Sequence, residues 1–127
     1  MRIEKQIINY LRDSDFLSDS ANCGKSKNLS MRDSVDISSD KKYVSLWGHC
    51  IFTLDKENNI KFSFQGWQTS TTKRRIDALL SAFSSCSAGI YQKNHQLVFS
   101  SSVGEFPIDA DKIYTIKNGK PEEVESI

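Results

Sequence analysis

Apolar residues recur at Ile3, Ile7, Tyr10 and Leu11, a helical spacing that predicts a short amphipathic helix over residues 2–12 with one adhesive face. The pattern then fails. Between Asp13 and Asp40, Leu17, Leu29, Met31, Val35 and Ile37 follow no clear period among eight Ser and six Asp. This composition reads as a long loop or tether with short helical turns. From Lys41 the pattern becomes that of strands, with Tyr43, Val44, Leu46 and Trp47 before Gly48 and Ile51, Phe52 and Leu54 after it. Gly48 inside such a run predicts a bulge. Asp55 to Asn59 is a polar turn, after which Ile60, Phe62 and Phe64 alternate with Lys61, Ser63 and Gln65 to complete a hairpin.

Gly66 ends that hairpin, and Ile76, Leu79, Leu80 and Phe83 follow at the i, i+3, i+4, i+7 spacing of a helix buried on one side. Ile90-Tyr91 and Leu97-Val98-Phe99 flank a polar turn and predict a second hairpin. Ile113 to Ile116 gives a last short strand before the Asn118-Gly119 turn. The expected fold is α+β: an antiparallel sheet of two hairpins plus a short strand, packed on one central helix, with the N-terminal amphipathic helix beside it. The chain divides into the helix at 1–12, the Ser/Asp-rich tether at 13–40, the core at 41–117 and a flexible acidic tail at 118–127.

At 127 residues the chain suits one hydrophobic core. It has no apolar run of membrane-spanning or signal-peptide length, which predicts a cytoplasmic protein, in the cell that makes it or in an infected host. Cys23, Cys50 and Cys86 are odd in number and lack CxxC spacing, so neither a disulfide framework nor a zinc site with His49 or His95 is expected. Gly24-Lys25-Ser26 is reminiscent of a phosphate loop, but Asp19 stands where the first glycine belongs and no apolar strand precedes it. His49 and Cys50 are strand neighbours pointing to opposite faces, a poor nucleophile and base couple. No catalytic residue, metal or cofactor is assigned.

Charge changes the picture at one place. Net charge is +1, yet residues 41–75 carry seven basic and two acidic groups while both flanks are net acidic. Three of those cations, Lys73, Arg74 and Arg75, fall in the first turn of the predicted central helix, where the macrodipole disfavours each by roughly 0.3–1 kcal/mol. Thr69, Ser70, Thr71 and Thr72 just before them are ordinary capping residues. Cations and free amides gathered at one helix end form an anion site. The candidate nucleic-acid or phosphate-binding set is therefore Trp67, Thr69, Thr71, Thr72, Lys73, Arg74 and Arg75, with Lys41, Lys42 or Lys61 extending a phosphate track and Trp67 stacking on a base. The competing reading is that Trp67 plugs the core and that Asp77, Asp109, Asp111 or the tail glutamates neutralise the cations.

Gly66-Trp67-Gln68-Thr69-Ser70-Thr71-Thr72-Lys73-Arg74-Arg75-Ile76 resembles a G-W-x-T-x-T-T-K-x-R pattern in small proteins of tailed bacteriophages, and the similarity continues through Ile90 to His95. The resemblance covers the central half of the chain and implies a phage origin and an accessory role, without an activity to carry over. It points to two jobs: acting on nucleic acid, or binding a host protein as an anti-defence or host-takeover inhibitor.

Overall fold

The structure, a computed structural model, describes residues 2–17 and 25–127. Helix α1 spans Ile3–Asp13 and buries Ile7 and Leu11, as its periodicity requires. The strands are β1 (Lys25–Asn28), β2 (Asp33–Ile37), β3 (Lys41–Leu46), β4 (His49–Asp55) and β5 (Ile60–Ser63). After helix α2 (Ser70–Phe83) come β6 (Gly89–Lys93), β7 (Gln96–Ser101), β8 (Gly104–Ile108), β9 (Ile113–Lys117) and β10 (Lys120–Val124). All pairings are antiparallel, in a seven-stranded sheet of order β1-β2-β3-β4-β5-β9-β10 and a three-stranded sheet of order β6-β7-β8.

The α+β class holds, but the architecture is richer in strand than one sheet of two hairpins on one helix. The second hairpin, β6–β7, belongs to a separate sheet that β8 extends. The two sheets meet where the Phe62 ring of the larger lies 6.0 Å from Phe99 of the smaller, with Tyr114 beside Phe62 on the neighbouring strand at 5.7 Å. Helix α2 closes the core from another side, with Phe83 against Phe52 at 6.0 Å.

The expected tether is the largest departure. Residues 25–28 and 33–37 are strands, and β2 alternates buried and half-exposed positions so that Val35 and Ile37 enter the core. Serine and aspartate supply the outward positions of a period-two pattern and mask it in the composition. The expected tail is likewise paired, as β10 on β9. β8 and β10 each contain a proline, Pro107 and Pro121, tolerated because both strands lie at sheet edges. Gly48 does not form a bulge: Trp47 and Gly48 have φ of 53° and 80°, a two-residue type I′ hairpin turn, and the bulge lies at Val44/Ser45. Cys23 and Gly24, and with them the phosphate-loop reading, fall outside the described residues.

Lys42 is buried rather than available to a phosphate. Its Nζ donates to the carbonyls of Leu11 and Ser14, placing a cation at the C-terminal end of α1, where the dipole favours one. Burial lowers its pKa from the ordinary lysine value, with Asp15 opposing the shift.

Candidate functional site

Two tight turns and a helix end converge near β3–β4. Trp47 opens the β3–β4 turn. Gln65 and Gly66, with φ of 52° and 78°, form the turn after β5, closed by the Trp67 N–H donating to Phe64 O at 2.8 Å. Thr69 then caps α2, its Oγ1 accepting from the Thr72 N–H at 3.2 Å and lying 2.9 Å from Thr72 Oγ1. The three pieces enclose a cleft of about 180 Å³. Leu46, Ile51 and Phe64 line it from the core, Trp47, His49 and Trp67 are its aromatic members, and Gln65, Thr69 and Thr71 bring polar groups.

Both walls are held in place. His49 and Trp67 stand 5.9 Å apart between ring centroids, Gln65 Nε2 donates to Cys50 O at 2.7 Å, and Gln68 Nε2 donates to His95 O at 2.6 Å. Yet the tryptophans are not core plugs: Trp47 is 57% and Trp67 50% exposed. Trp47 is also left-handed, a backbone region that costs a residue with a Cβ roughly 1–2 kcal/mol and that Asn or Gly fills more cheaply. Neither burial nor turn preference accounts for a tryptophan there.

The structure divides the seven sequence candidates. Trp67, Thr69, Thr71 and Thr72 line the cleft, although Thr72 is buried and occupied with the cap. Lys73 stands one turn beyond Thr69, its N–H bonded to Thr69 O, and Arg74 is exposed; neither pairs with a carboxylate among the described residues. Arg75 is removed from the set. At 2% exposure its Nε donates to Asp33 Oδ1 at 2.7 Å, Nη2 to Asp33 Oδ2 at 3.3 Å and Nη1 to Glu4 Oε2 at 2.8 Å. The bond joins α1, β2 and α2 in one buried network, with Ser30 Oγ completing the Asp33 carboxylate at 2.7 Å. It is a structural cation.

Among the described residues, none of the acidic groups expected to neutralise the patch forms an ion pair with Lys73 or Arg74. Asp77 accepts the Ile90 N–H, Asp109 and Glu123 pair with Lys112, and Glu122 reaches Lys117. Lys61 donates to Ser126 O, away from the cleft lining. Trp47, His49 and Gln65 are the site residues that the sequence reading missed. The available signal was Trp47-Gly48 between two strand patterns, a two-residue turn with glycine second.

Among the described residues, no three His, Cys, Asp or Glu side chains gather as a metal site. Cys50 is half-buried; burial, the largest effect, raises its thiol pKa, and Asp36 adds to this, while a backbone hydrogen bond from Phe52 and the charge of Lys41 oppose. In the folded protein, iodoacetamide should therefore alkylate Cys50 more slowly than in the urea-unfolded chain at pH 8, a difference readable by peptide mass spectrometry. The raised folded value also means that the unfolded chain sheds this proton first, so stability falls as pH climbs past the ordinary thiol range. Equal rates would show the thiol to be unperturbed.

The elements described define a small two-sheet α+β protein with an aromatic cleft at a helix N-terminus. The model of the Kyanoviridae Gp96 protein family matches residues 1–117, and the chain belongs to this family of phage proteins. The match takes in α1 and the Ser/Asp-rich segment, so the relationship extends well beyond the central half carrying the G-W-x-T pattern. No curated protein and no solved structure matches the chain. Among the described residues, no helix is long and apolar enough to cross a membrane.

Proposed function

We propose that this phage protein is a non-catalytic accessory factor that binds single-stranded nucleic acid, a base entering the cleft between Trp47 and Trp67. The observation that carries the reading is the pair of half-exposed tryptophans flanking an apolar cleft, one of them in a costly backbone conformation. Stacking on aromatic side chains is how proteins grip unpaired bases with little sequence preference. Thr69 and Thr71 offer hydroxyls, and the first turn of α2, which has no acidic residue, offers free amides to an adjoining phosphate. Lys73 and Arg74 supply the charge. The loss of Arg75 and Lys42 shortens the expected phosphate track and shifts the weight of binding to the aromatic residues.

Lys73→Gln with Arg74→Gln should weaken binding to oligothymidylate and reduce the slope of log K against log salt by about 1.4, at roughly 0.7 per phosphate contact on a single strand. An unchanged slope in a folded variant would remove these side chains from the interface. The second reading, docking to a host protein, has its own foothold: Met31 is 91% exposed in the hollow that also contains Trp47. Wild-type protein that ignores oligonucleotides, but binds a purified host protein in a manner abolished by Met31→Ser, would favour that reading.

A further inference from the structure

The cleft is one end of a longer surface. Trp47 belongs both to the cleft and to an adjoining hollow lined by Ile3, Met31 and Arg32, beneath which lies the Arg75–Asp33 pair. Arg2, beside Ile3 in the chain, belongs to a broad groove between the helices that Lys5 and Arg74 also line. The helices run side by side in the same direction, since Glu4 meets Arg75 near one end and Arg12 meets Ala82 and Phe83 near the other. The start of α1 therefore lies beside the second turn of α2, where Arg74 lines the groove.

The cations at the start of α1 are as unfavourably placed as Lys73 is in the first turn of α2. Arg2 is the N-cap and Lys5 lies in the first turn, where roughly 0.3–1 kcal/mol is lost per charge. The groove also carries the carboxylates of Glu4 and Asp77, so its three cations leave one positive charge in excess. Glu4 is engaged by Arg75, and Asp77 accepts the Ile90 N–H at 2.7 Å. Arg2 and Lys5 make no ion pair among the described residues, and both are exposed. Arg75 thus has a second consequence: it takes the direct bond of Glu4, which neither Arg2 nor Lys5 shares among the described residues.

We infer that the groove between α1 and α2 is a phosphate-backbone subsite, taking the strand that leaves the tryptophan cleft past Arg32 and holding it with Arg2, Lys5 and Arg74. The inference rests on the nucleic-acid reading of the cleft and extends the interface to the N-terminal helix. Aromatic contacts at one end and a cationic groove at the other follow the division of labour in single-strand binding. The ligand is a single strand longer than the cleft alone accommodates.

The test uses Arg2→Gln with Lys5→Gln, exposed changes that leave the Arg75 network intact, in the full chain. Binding is measured to an oligothymidylate of about eight nucleotides, within the size range of small single-strand sites, and to a thymidine dinucleotide. The expected result is a salt slope lower by about 1.4 for the longer strand, with dinucleotide binding and the tryptophan quench at saturation unchanged. A wild-type slope in the variant, with the quench retained, overturns the groove and leaves the cleft standing. Absence of binding and quench in the wild-type protein overturns both. An equal loss for both ligands also overturns the inference, because the two residues would then act at the cleft or on the fold.

Discussion

Arg75→Ala should lower stability by about 3–5 kcal/mol, the usual consequence of leaving one member of a buried ion pair without its partner. Asp33 is 1% exposed, so its carboxylate is left in a largely dry site without its counter-charge once the guanidinium is gone. Among the described residues, Ser30 Oγ at 2.7 Å and Arg32 Nε at 3.8 Å remain to it. For a chain of this length the loss corresponds to a fall in melting temperature of roughly 10–20 °C. Arg75→Lys should recover only part, because one ammonium cannot reproduce three directed donors to two carboxylates. Adding Asp33→Asn to Arg75→Ala should give back part of the loss, since the neutral amide no longer requires a counter-charge. A double-mutant cycle by urea denaturation reads this coupling, and strictly additive losses would show that the two side chains stabilise the fold independently.

Trp67→Ala should weaken binding to a single strand by about 1–3 kcal/mol, which is roughly 5- to 150-fold in Kd, with the melting temperature little changed because the ring is 50% exposed. Trp47→Asn separates function from folding more sharply. Asparagine suits the left-handed first position of the β3–β4 turn better than tryptophan does, so the variant should be at least as stable as the parent while binding more weakly. A more stable, weaker-binding protein is the signature of a side chain kept for its ligand. A variant that is less stable and binds as before would assign Trp47 to the fold.

These effects also mark which parts of the molecule were legible in the sequence. The α1 and α2 stripes and the alternation of Ile60, Phe62 and Phe64 carry their periods in the side chains themselves, and the elements form where those periods run. β2, β8 and β10 were hidden for a different reason. Edge strands and a strand with Ser and Asp on its outer face need few apolar residues, so their pairing partners, rather than their composition, make them strands. The candidate site was half legible. Counting cations at the start of α2 singles out Lys73 and Arg74, which make no ion pair among the described residues, but could not anticipate that Asp33, 42 residues earlier, folds onto Arg75. Nor could local pattern bring Trp47 to Trp67, since the encounter depends on two turns at the same end of a sheet.

A base entering the tryptophan cleft is the contact on which the proposed function stands. Both tryptophans of the chain stand at that cleft, so the intrinsic tryptophan emission reports on this end of the molecule. Titration with oligothymidylate at several salt concentrations should quench this emission saturably, with a midpoint that moves to higher oligonucleotide concentration as salt rises. Emission that stays constant to saturating oligonucleotide at low salt would contradict the account.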